Sequence, residues 1–116
     1  MQNFNNRVQL IGYLGKDVEV TAFPSGKTKG AVSLATSQSF KNKDGEYISQ
    51  TQWHSLVLWG KGAEAMKSQA QKGDLVIVEG SIVYRNYQDA QGTTKYVTEI
   101  NVNQFQRYKT VGKADS

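Results

Sequence analysis

Polar and apolar residues alternate from the start of the chain. In "NRVQLIGYLGKDVEV", Val8, Leu10, Gly12 and Leu14 fall on one side of an extended chain, with Arg7, Gln9, Ile11 and Tyr13 on the other. Period two predicts a strand. "FPSGKTKG" (residues 23–30) reads as a loop, and "AVSLATSQSF" as a second strand with Val32, Leu34, Thr36, Gln38 and Phe40 in phase. "KNKDGEY" carries the Asp44-Gly45 hairpin signal, so the next segment, about Tyr47 to Trp59, should return antiparallel. Gly60 and Gly62 end it. "AEAMKSQAQKG" is rich in helix formers, places Ala63, Met66 and Ala70 on one face and stops at Gly73. "DLVIVEGSIVY" is a further strand, kinked or bulged at Gly80. "RNYQDAQGTTKYV" is a second hairpin with its tip at Asp89 to Thr93, and the last strand should run from about Thr94 to Asn103.

Three strands, a short helix and two more strands is the order of an all-β OB-fold, a five-stranded Greek-key barrel with one helix between strands 3 and 4. Its second and third strands, with the 1–2 and 4–5 loops, line a groove for oligonucleotides or oligosaccharides. With 116 residues and 38% hydrophobic content the chain is long enough for one domain, expected over residues 1–108, with 109–116 a short flexible end. The absence of cysteine excludes disulfides and thiolate metal sites, and a single histidine leaves no basis for a multi-histidine one. The N-terminus lacks the basic and long apolar regions of a signal peptide, and no segment is apolar for the length of a membrane span. The expected setting is soluble and cytoplasmic.

Fourteen lysines and arginines against ten acids give a net charge of +4 and a pI near 9.3. That excess is too modest to identify a partner by itself, and its arrangement has to decide. In "TQWHSLVLWGK", alternation puts Trp53 and Trp59 on one side with Thr51, Ser55, Val57 and Lys61, and Leu56, Leu58 and His54 on the other. Tryptophan is most often a core residue, but here the leucines already fill the core side. Phe40 precedes Lys41 and Lys43, and Tyr87 is in phase with Arg85. Phe40, Trp53, Trp59 and Tyr87 therefore come from the elements that line an OB-fold groove, each near a basic residue. Unpaired bases stack on such rings for roughly 1–3 kcal/mol each while cations follow the phosphates. About five phosphate contacts would give a salt slope near −3.5, or roughly a hundredfold loss of affinity between 50 and 200 mM salt.

No nucleophile elbow, phosphate loop, metal-ligand spacing or paired acids appear, so no enzymatic activity, cofactor or metal is expected. His54, alone on the leucine side, reads as a packing or interface residue.

The stretches "NRVQLIGYLGKDVEV", "AVSLATSQSF", "QTQWHSLVLWGK", "KGDLVIVEG" and "TKYVTEI" resemble bacterial-type single-stranded DNA-binding proteins from Asn6 to about Phe105. The resemblance implies a nucleoid-associated homotetramer that coats single-stranded DNA during replication, repair and recombination. It places Phe40, Trp53, Trp59 and Tyr87 on the family's four stacking positions. Tryptophan is commoner in the family where this chain has Phe40 and Tyr87, and phenylalanine where it has Trp59. Arg7, Lys41, Lys43, Lys61, Lys72, Arg85 and Lys95 match basic positions along the DNA path, and His54 matches a histidine at a subunit interface. The alternative is an OB-fold RNA-binding or primosome-type interaction module. The family's usual long tail, with an acidic tip that recruits repair and replication proteins, has no counterpart in "KTVGKADS", where Asp115 is the one acid after Glu99. Either this is a naturally short form or the tail was removed, and the recruiting role of the family is not carried over to this chain.

Overall fold

The computed structural model describes residues 5–109. Seven elements follow in order: β1 (Val8–Leu14), β2 (Glu19–Ala22), β3 (Thr28–Lys41), β4 (Tyr47–Trp59), α1 (Lys61–Gln69), β5 (Leu75–Gln88) and β6 (Thr94–Lys109). They form one sheet in the order β1-β5-β6-β4-β3-β2, and β1 also pairs with β3 at Tyr13↔Ala35 and Leu14↔Leu34. That second pairing closes the sheet into a barrel. β4 and β6 run parallel and the other neighbouring strands antiparallel. The expected first strand is one barrel strand in two pieces, with β2 continuing along β3 after a break at residues 15–18. The five-stranded OB-fold barrel is thus observed, and its helix joins the third and fourth barrel strands, β4 and β5.

Closure demands a close approach at Gly12, where a Cβ would run into the carbonyl of Ala35. Glycine is the residue that permits it. The interior is filled by the inward row of each strand, among them Leu14, Val32, Leu34, Leu56, Leu58, Val76 and Val78. Val18, in the break between β1 and β2, also points inward and is buried. Ala63 and Met66 of α1 seal one end. The helix ends four residues before the expected stop: Ala70 is extended and its N–H donates to the carbonyl of Met66. β5 slips register between Glu79 and Gly80, the irregularity expected at that glycine. β6 is six residues longer than expected because its outer half pairs with β5 as far as Lys109, opposite Leu75. The expected flexible end otherwise falls on residues 110–116, outside the described residues.

Candidate nucleic-acid interface

β3 and β4 pair without a slip from Lys41↔Tyr47 to Lys29↔Trp59. Directly opposed residues of an antiparallel pair share a side, so Lys29, Ala31, Ser33 and Ala35 stand on one surface with Trp59, Val57, Ser55 and Trp53. β6 lies on the other flank of β4, with Glu99 beside Ser55 and Asn101 beside Val57. Beyond it β5 sets Val83 opposite Glu99, Arg85 opposite Val97 and Tyr87 opposite Lys95. The outer surface of four strands is therefore one continuous field holding Trp53, Trp59 and Tyr87. Trp53 is 63% and Trp59 48% exposed, which removes both from the core.

Each ring is supported differently. A Cβ on Gly15 would meet the Trp53 ring and the Ser33 hydroxyl, so the indole lies directly over glycine backbone. The Lys29 ammonium stands 5.8 Å from the centre of the Trp59 ring. Trp59 also separates two grooves. One, of about 380 Å³, has Val57 and Val83 in its walls with Lys29, Arg85, Glu99 and Asn101. The other, of about 500 Å³, is lined by the 26–28 loop, Gly60, Lys61 and Glu64. Arg85 lies 5.9 Å from the Tyr87 ring centre and donates from Nε and Nη2 to the two oxygens of Glu99, at 2.9 and 3.0 Å. Arg85, chiefly through those hydrogen bonds, holds the Glu99 carboxyl below its ordinary range against an opposing effect of burial. The same bonds raise Arg85.

The other expected residues are placed less uniformly. Phe40 pairs with Ile48, in the row that contains Leu34 and His54, so it lies on the opposite pleat side of the β3–β4 hairpin from the tryptophans. That hairpin projects beyond the barrel and leaves Phe40 46% exposed. Its other side carries Lys41, 5.6 Å from the Tyr47 ring. Lys43 is exposed in the hairpin turn, which Asn42 Oδ1 holds by accepting from the N–H of Asp44 and Glu46. Lys61 opens α1 beside Trp59. The N–H of Lys72 donates to Asp17 Oδ1, next to the Gly15 backbone under Trp53. Arg7 stands on a different wall, between β1 and β5. It donates to Glu79, which also accepts from Gln104 Nε2 at 2.6 Å. The structure brings Trp53, Trp59, Tyr87, Lys61, Arg85 and Lys95 to one surface and leaves Arg7 outside it. His54 is partly buried on the inner row opposite Leu34, with Nε2 2.9 Å from the Thr36 hydroxyl.

Sequence reasoning missed Lys29 and Glu99. Counting outward from the Asp44-Gly45 turn sets Lys29 opposite Gly60, one residue from the observed partner Trp59, because the turn is centred on Asp44; the sequence signal for the lysine was therefore approximate. Glu99 reaches Arg85 diagonally from across the second hairpin, and no alternation rule points to that contact.

A family model, described as the single-strand binding protein family, matches residues 5–108. Among solved structures, a Plasmodium falciparum SSB in complex with ssDNA is similar at 26% identity and a TM-score of 0.77, over 91% of this chain and 95% of that one. A deletion mutant of the Thermus aquaticus single-stranded DNA binding protein is similar at 25% identity and a TM-score of 0.79, over 93% of this chain and 52% of that one.

Proposed function

This chain belongs to the single-strand binding protein family, and from that premise we propose that its tryptophan-bearing outer surface is where it holds single-stranded DNA. The family binds single-stranded DNA without catalysis, typically in replication and repair. The observation that carries the local assignment is the exposure of Trp53 and Trp59 on one cation-flanked surface. Bases stack on Trp53, Trp59 and Tyr87 because every base has a π-face, which makes the hold tolerant of sequence. Lys61, Arg85 and Lys95 follow the phosphates on that surface. Lys41, Lys43 and Lys72 extend the path at its margins, and Phe40 takes a base where the strand turns round the β3–β4 hairpin. Arg7 is the weakest member of the expected set, since it serves Glu79 on another wall.

Tryptophan to tryptophan along β4 is about 20 Å, room for roughly six stacked nucleotides, so the two rings serve different bases. The working form is a homotetramer with His54 near a contact between subunits, built from one domain over residues 1–108. Its place is the cytoplasm, on the nucleoid; among the described residues no helix is long and apolar enough to cross a membrane. The test is titration with oligo(dT) at low salt, following tryptophan fluorescence, with RNA and duplex DNA as competitors. Strong quenching that only single strands produce is the expected result, whereas unchanged fluorescence would reject the assignment of Trp53 and Trp59.

A further inference from the structure

Building on that single-strand reading, we propose that Glu99 is a positioning residue that stands in for phosphate within the binding surface. It holds the Arg85 guanidinium beside Tyr87 until a strand displaces it, and so keeps the strand readily released.

β6 lies between β4, which carries both tryptophans, and β5, which carries Tyr87. Glu99 is beside Ser55 on one flank and opposite Val83 on the other. A strand that stacks on Trp59 and then on Tyr87 must pass over it. Glu99 is also the one acid among the residues lining the groove beside Trp59, where Lys29 and Arg85 are the cations. Two cations less one acid leave a single net positive charge in that groove.

The guanidinium meets Glu99 with two parallel N–H donors, the fork it would offer a phosphate. The Nε–Nη2 edge of Arg85 can therefore be given to a phosphate only by being taken from Glu99, and while the pair stands a phosphate has only the remaining Nη hydrogens, beside a carboxylate that repels it. The register of β5 and β6 does not depend on this pair alone, since an unbroken ladder joins them from Gly80↔Val102 to Gln88↔Thr94. The arginine–glutamate pair on the β1–β5 wall differs in that its carboxylate is shared: Glu79 accepts from Gln104 as well as from Arg7.

The consequence is a sign that a simple phosphate-contact map would get wrong. Removing an acid bonded to a DNA-facing arginine should strengthen binding, because the strand no longer competes for the guanidinium. Glu99→Gln keeps the shape and removes the charge. It is expected to bind oligo(dT) about two- to fivefold tighter per site at low salt, the range of a partly exposed ion pair. Its plot of log K against log salt should steepen by about 0.7, the increment for one more phosphate neutralised. Arg85→Gln should reduce the slope by less than that in the wild-type background and abolish the gain in the Glu99→Gln background. Arg85→Lys, which breaks the fork and keeps the charge, supplies the same readout should Glu99→Gln fail to fold. Equal or weaker binding with an unchanged slope in these variants would overturn the proposal. Failure of the wild-type protein to bind oligo(dT) in the same titration would instead overturn the single-strand reading, and this inference with it.

Discussion

β4 contains two rows of side chains that differ in every physical respect while sharing one backbone. The inner row, Leu56 and Leu58, is 1% exposed and meets Leu34, Val32 and the helix in the barrel interior. The outer row, Trp53 and Trp59, is about half to two-thirds exposed and meets glycine backbone and a lysine. Val57 shows that the outer row is more than leftover surface, because it is buried at 5% and forms the floor between the tryptophans. One row makes the barrel rigid, and the other uses that rigidity to hold two indoles in fixed places. Stacking then costs little ordering of the protein when a strand arrives.

That contrast can be broken from either side. The largest effect is expected inside: Leu56→Ala should lower the unfolding free energy by about 2–5 kcal/mol in a urea titration, the range for leucine truncation in a packed core. Its folded fraction should still bind oligo(dT) with near wild-type affinity. Next comes the outer row, where Trp53→Ala or Trp59→Ala should each cost about 1–3 kcal/mol of binding. Stability should move by no more than roughly 0.5 kcal/mol, as for surface sites. A large stability loss in either tryptophan variant would assign that ring to the fold. Phe40→Ala sharpens the comparison, since Phe40 lies on the other pleat side of the hairpin. It should weaken binding measurably but less than either tryptophan change, in the same fluorescence anisotropy assay.

The smallest effect concerns pH. Arg85 lowers the carboxyl of Glu99 and Arg7 that of Glu79, both below an ordinary value of 4.5. A depressed native value means that the stabilisation is complete above the ordinary value and is lost as pH falls through the native one. Thermal melts should therefore show the full contribution of these pairs, with no pH dependence from them, between pH 6 and 8, and a shallow decline in acid. Glu99→Gln should flatten part of that decline.

Much of this was readable from alternation, for a definite reason. A half-exposed strand must show its period in the chain, so the inner rows Leu14, Leu34, Leu56 and Leu58 and the outward tryptophans could all be placed before any pairing was known. What alternation does not carry is which residue stands across from which, or where a strand bends. The break at residues 15–18 was missed because Val18 continues the apolar pattern through it. The length of β6 was missed because residues 103–109 are mostly polar, with 103–108 exposed apart from half-buried Phe105, and are held by backbone pairing with β5 and not by an apolar row. The Arg85–Glu99 pair spans 14 residues and exists only because one hairpin register brings it together.

The most direct test of the central claim is an ¹⁵N–¹H spectrum recorded with increasing oligo(dT), because the chain has two indole N–H groups and both belong to the outer row of β4. The account predicts that both indole signals shift or broaden as the strand binds, while the amides of Leu56 and Leu58 move far less. Two stationary indole signals, in a sample where anisotropy of the labelled oligonucleotide shows full binding, would contradict it.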